Sequence, residues 1–180
     1  GLYPFESHFF ETEGLRYHYL DEGRGEPLLM LHGNPTWSFY YRNLVSAFRS
    51  THRAIAVDHI GCGFSDKPQD YAYTLESHVT NLERLVVKLD LRDLTLIVHD
   101  WGGPIGMGLA MRHPARVRRF VVLNTAAFEK PASAVFPWSI RSCRIPVFGD
   151  VAVRGFNLFC KAALIRATWH PERFTRQIRD

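Results

Sequence analysis

A single carboxylate, Asp100, sits where a buried strand must turn sharply into a helix. The stretch Val98-His99-Asp100-Trp101-Gly102-Gly103 separates an apolar run (Leu94, Leu96, Ile97, Val98) from an apolar, glycine-rich helical pattern, Ile105 to Met111. Small residues after a strand end permit a tight turn that holds one side chain out at the top of a sheet. Because that side chain is a carboxylate, the chemistry it points to is attack by an aspartate, with a covalent ester intermediate. The bland alternative at this position is a helix-capping aspartate.

Two other polar residues occupy comparable places. Leu28 to Leu31 is a short apolar run ending in His32-Gly33-Asn34-Pro35, and Arg53 to Val57 is a run ending at Asp58. Asn34 is a hydrogen-bond donor or, in the plainer reading, a turn residue before Pro35. Asp58 precedes the loop Gly61 to Pro68 and reads as a loop anchor ahead of a catalytic acid. Trp101 offers an indole N–H, or is simply a core side chain. Gly61-Cys62-Gly63 lacks the third glycine of a dinucleotide loop, since Asp66 stands there. Gly102-Gly103-Pro104-Ile105-Gly106 lacks the Lys-Ser/Thr of a phosphate loop, and no histidine pair has zincin spacing. No cofactor and no metal are expected.

These residues need a frame. Strands are expected at 8–13, 15–21, 28–31, 53–57, 94–98 and 119–123, the first two joined by a turn at Glu13-Gly14. Helices are expected from near Ser38 through Phe48, over 75–89 with Thr74 as cap, and over 104–113. Strands alternating with helices imply an α/β fold with a mostly parallel sheet flanked by helices. Ligands bind at the carboxyl ends of such strands. Asn34, Asp58 and Asp100 all lie just past carboxyl ends, so one crevice can collect them. After about Phe128 the strand pattern stops, and prolines and aromatic residues alternate with arginines, which reads as a helical insertion.

Composition sets bounds. The 180 residues suffice for a domain with a proper core, at 46% hydrophobic and 22% charged residues. No apolar run is long enough to span a bilayer. The three cysteines, Cys62, Cys143 and Cys160, are far apart, which suggests thiols in a reducing, cytoplasmic compartment. Arg112, Arg116, Arg118 and Arg119 cluster after the helix that follows Asp100. Without a recognition motif they read as a solvated face at a helix end, and no nucleic-acid partner is expected.

Three pieces, His32-Gly33-Asn34-Pro35-Thr36-Trp37, Gly61 to Pro68 and His99-Asp100-Trp101-Gly102-Gly103, together resemble the haloalkane dehalogenases of the α/β-hydrolase superfamily. The resemblance is strong in order and spacing through about residue 128. It implies an α/β-hydrolase core with its first six strands in 1–128 and the start of a helical cap in 129–180. Where some members carry a Glu after the strand following the nucleophile helix, this sequence has Asn124, in Leu123-Asn124-Thr125-Ala126-Ala127-Phe128. That pattern is similar to the β-lactone decarboxylases of long-chain olefin synthesis. The family's catalytic histidine follows an eighth strand, so the sequence is expected to be a piece that stops inside the cap.

What the resemblance implies is specific. Asp100 is the nucleophile, displacing halide from a primary carbon. The Asn34 amide and the Trp101 indole hold the halide, and their backbone N–H groups form the oxyanion hole for hydrolysis of the ester. An imidazole must then activate water, and none of the nine histidines present is assigned that task. His32 and His99 read as supports for the loops they precede. The partner is a small apolar substrate, a haloalkane or a β-lactone. An epoxide hydrolase is a further alternative, and an inactive fragment or binding module lacking the catalytic histidine is the alternative of another class.

Overall fold

Three of the expected strands are continuous apolar runs, the pattern of strands covered on both faces. In the computed structural model, which describes residues 1–126, 138–142, 145, 147 and 149–166, they form the centre of a sheet. β1 (His8–Thr12), β2 (Leu15–Glu22), β3 (Pro27–Leu31), β4 (Arg53–Val57), β5 (Leu94–His99) and β6 (Val117–Leu123) lie in the order β1-β2-β4-β3-β5-β6. β3 runs parallel to β4 and β5, and β5 parallel to β6, while β2 pairs antiparallel with both β1 and β4. This is the mostly parallel sheet that the alternation of strands and helices implied. The chain divides into two compact units, Gly1–Glu129 and Lys130–Asp180.

Successive strand residues face opposite sides, and the two sides collect different helices. Leu29, Leu31, Ile55, Val57, Leu96 and Val98 pack against Val79, Leu82, Leu85 and Val86 of α2 (Leu75–Lys88) and Ile105 and Leu109 of α3 (Gly102–Arg112). Leu28, Met30, Ala54, Ala56 and Ile97 pack against Val45 of α1 (Arg42–Phe48) and against Tyr41. Thr74 caps α2 by accepting the Ser77 N–H, which satisfies one of the orphan donors of the first turn.

Several boundaries differ from the sequence reading, each for a local reason. The helix expected from Ser38 opens as a 3-10 turn, Ser38–Tyr41, before α1 begins. Its first amide is tied to Asp58 and its last hydroxyl, Tyr41, donates to the Leu31 carbonyl, so tertiary bonds shape that turn. α3 begins at Gly102, two residues ahead of Pro104, because proline is tolerated in a first helical turn. β6 starts at Val117, which pairs with Leu94 beside a register shift.

The arginine cluster is not a merely solvated face. Arg112 pairs with Glu76 and Glu83, Arg116 with Asp90, and Arg118 and Arg119 both with Glu26. Arg112 thus fastens α3 to α2.

β6 hydrogen-bonds to β5 on one side and to no further strand among the described residues. Phe120, Val121 and Val122 are exposed. An open strand edge with apolar side chains is a template for pairing with another chain. The 180-residue polypeptide produced alone is therefore expected to self-associate, seen by size-exclusion chromatography with light scattering. A lysine in place of Val122 should shift the distribution toward monomer.

The regular elements described in the second unit are helical: α4 (Trp138–Ser142), a π-helical turn at Asp150–Gly155 and α5 (Leu158–Arg166). Phe128 and Cys143, named in the sequence analysis, lie outside the described residues.

Candidate active site

β3 lies between β4 and β5, and the chain runs from β3 to β4 on one side and then crosses to β5 on the other. Crevices open at such reversals, at the carboxyl ends of the strands. Asn34 follows β3 and Asp100 follows β5, so the two flank the reversal.

Asp100 occupies the turn between β5 and α3 with φ of +50°, a left-handed conformation that side chains other than glycine adopt at a cost. The turn forces close approaches that only glycine permits. A Cβ on Gly102 would collide with the Leu31 carbonyl, and one on Gly103 with the Thr125 side chain. The Gly103 N–H donates to the Asp100 carbonyl at 3.0 Å, and so does the Thr125 hydroxyl, at 2.5 Å. The half-buried carboxylate caps no helix: Trp101 is the N-cap residue of α3, without a side-chain capping bond. Instead Asp100 Oδ1 accepts the backbone N–H of Asn34 at 2.9 Å. That contact also depends on a glycine, since a Cβ on Gly33 would occupy the carboxylate's space. An N–H aimed at a carboxyl oxygen stabilises negative charge there.

The Asn34 loop is held by several bonds. The Thr36 N–H and hydroxyl both donate to the Gly33 carbonyl, at 2.9 and 2.8 Å. His32 is buried, with Nδ1 2.9 Å from that same carbonyl and Nε2 accepting the His59 N–H at 3.0 Å. It supports the loop, as the sequence suggested. The Asn34–Pro35 peptide is cis. Asn34 itself is exposed, and Trp101 is 49% exposed. His99 is half-buried, with its ring stacked on Tyr40 at 4.8 Å.

Asp58 belongs to the scaffold beside this site. It is fully buried, and its oxygens accept the Ser38 N–H at 2.7 Å and the Phe64 N–H at 2.8 Å. His18 Nδ1, equally buried, lies 2.9 Å from Oδ2. The hydroxyl of Ser65 donates to the Asp58 carbonyl and accepts the His18 N–H. The loop from His59 to Asp66 is thus folded around one carboxylate. Burial pushes that carboxyl up, but bonds from His18, Phe64 and Ser38 outweigh it and hold the group below its usual range.

Sequence reasoning passed over His18, Thr125 and the role of Gly33. Gly33 and Thr125 lay inside quoted motifs. His18 had no signal, since only the fold brings it to Asp58.

Burial holds His32, His59 and His78 below the ordinary histidine value of 6.5, most strongly for His59, where His32 and His78 add repulsion. Their depressed folded values mean that the unfolded chain binds more protons as pH falls. This contribution to stability is complete above about pH 6.5 and is lost below it. The Asp58 contribution has the same sign, complete above the ordinary carboxylate value of 3.8 and lost below it. Thermal midpoints are expected to fall as pH drops from 7 to 5, with a shallower slope in His59→Gln.

Among the described residues no His, Cys, Asp or Glu cluster could hold a metal ion, and no helix is long and apolar enough to cross a membrane.

Comparison with known proteins identifies the family of the fold. Residues 26–166 match the family described as alpha/beta hydrolase fold. A cis-3-alkyl-4-alkyloxetan-2-one decarboxylase of Shewanella oneidensis is 53% identical over 165 residues, covering 90% of this chain and 52% of that protein. Haloalkane dehalogenase 2 of Mycobacterium tuberculosis is 44% identical over 169 residues, covering 94% of this chain and 58% of that protein. Among solved structures, the haloalkane dehalogenase DatA from Agrobacterium tumefaciens C58 superposes with a TM-score of 0.77 at 32% identity, covering 90% of this chain and 55% of that one. The chain therefore spans about half the length of the curated relatives it matches.

Proposed function

Since the chain belongs to the alpha/beta hydrolase fold family, we propose that it carries the nucleophile half of an enzyme that forms an ester on Asp100. The observation that supports this most is the Asp100 carboxylate, held at the strand-to-helix turn with the Asn34 N–H on Oδ1 at 2.9 Å. Asp100 attacks a primary carbon of a haloalkane, the carbon–oxygen bond forms, and halide leaves with the bonding pair. The Asn34 side-chain amide and the Trp101 indole N–H stabilise the departing ion. Water then adds to the Asp100 carboxyl carbon, and the Asn34 backbone N–H is placed to hold the oxyanion that develops on Oδ1, with the Trp101 N–H as the second donor. The imidazole that activates this water is not assigned to any histidine of this chain. Residues 129–180 are proposed as the start of a helical cap, and the thiols suit a cytoplasmic protein.

A second reading uses the same aspartate on a β-lactone, releasing carbon dioxide and an alkene. It is favoured by the 53% identity to the oxetan-2-one decarboxylase, against 44% to the dehalogenase. Product analysis of the full-length protein with a bromoalkane and a long-chain β-lactone, side by side, separates them. Halide and alcohol support the first reading; alkene and carbon dioxide support the second. Neither product from either substrate would contradict both.

A further inference from the structure

The proposed role of Asn34 depends on which end of its side chain faces the leaving group. A carboxamide carries a donor and an acceptor at similar distances from the backbone, and rotating it exchanges them. Asn34 is exposed, so burial does not fix the choice. Something must hold the oxygen away from an anion forming in the site.

Cys62 does so from the loop after β4. Its thiol donates to Asn34 Oδ1 with Sγ 3.7 Å away. A thiol is a donor as well as a weak acceptor, so it pairs better with the amide oxygen than with the NH2 group. With the oxygen turned to Cys62, Nδ2 is turned from it. The mount is firm: the Cys62 N–H donates to the His59 carbonyl at 2.8 Å, and the Gly61 N–H to the Asp66 carbonyl at 2.9 Å. Gly61 and Gly63 on either side have φ of +96° and +49°. The next amide, of Phe64, is held by Asp58. The loop that Asp58 organises therefore ends on the side chain that the site needs oriented.

We infer that Cys62 is a positioning residue for Asn34, fixing the carboxamide so that its N–H donor serves the departing group. This deepens the proposed function and rests on it.

The test is a double-mutant cycle in the full-length protein, using whichever substrate is turned over. Cys62→Ala is expected to lower kcat about five- to tenfold, the scale of one neutral hydrogen bond, with KM changed less than about twofold. Cys62→Ser keeps a donor and is expected to recover most of the loss; it also reports on the loop if the alanine variant folds poorly. In an Asn34→Ala background, Cys62→Ala should have no further effect, because the group it acts through is gone. An unchanged kcat in Cys62→Ala, or an equal loss with and without Asn34, overturns the inference while leaving the function standing. Full activity of Asn34→Ala alone overturns the reading of Asn34 itself, and the Cys62 inference with it.

Discussion

Asp100→Ala in the full-length protein is expected to lower turnover by roughly 10⁴-fold or more, the scale on which nucleophile removal acts. The structure explains why stability should scarcely change. The Asp100 side chain is half-buried and accepts one backbone bond among the described residues, from Asn34, an exposed residue whose N–H water can satisfy. The turn is held by main-chain contacts, from Gly103 and Thr125 to the Asp100 carbonyl, which alanine retains. The positive φ is unfavourable for both residues, and asparagine tolerates it best. Asp100→Asn should therefore be the better folded control, equally inactive when fresh, and able to regain activity slowly if its amide hydrolyses. Initial rates and thermal midpoints measured together check this. A loss of activity that tracks unfolding would mean that Asp100 is a scaffold residue.

Asp58→Ala is expected to act in the opposite way, with a large loss of stability. It would leave His18 buried without its partner and the Ser38 and Phe64 amides without their acceptor. Leaving a buried polar group unsatisfied costs about 1–3 kcal/mol, and three groups are affected, against a total stability of about 5–15 kcal/mol for a typical domain. Asp58→Asn should lie between, since one amide oxygen can still accept while the NH2 group faces donors. Urea unfolding of the full-length protein measures this. A change below about 1 kcal/mol for Asp58→Ala, the size of one ordinary hydrogen bond, would show that the loop from His59 to Asp66 is held by other contacts.

The different fates of these two aspartates show what was legible in the sequence. Both follow apolar strand runs, and the glycines after Asp100, against the longer loop after Asp58, separated a turn that presents its side chain from one that buries it. The alternation of runs and helical patterns was enough for the sheet and its helices, because periodicity is local. What was not legible is what the fold brings together from a distance. His18 is 40 positions from Asp58, and Thr125 is 25 positions from Asp100; neither pairing leaves a local pattern. The ion pairs of the arginines after α3 were not legible for the same reason, since their partners Glu76, Glu83, Asp90 and Glu26 lie on other elements. The 3-10 turn at Ser38 likewise follows from Asp58, which propensity does not see.

The central claim is that an oxygen of Asp100 becomes covalently bound to substrate and is then exchanged with water. Turnover of the full-length protein in ¹⁸O-labelled water, followed by mass spectrometry of the peptide containing Asp100, tests it directly. In the hydrolytic reaction water attacks the Asp100 carboxyl carbon, so the account predicts ¹⁸O in that carboxylate, and a first-turnover alcohol whose oxygen is unlabelled. Label confined to the alcohol, with the Asp100 peptide unchanged after many turnovers, would contradict it and make Asp100 a base.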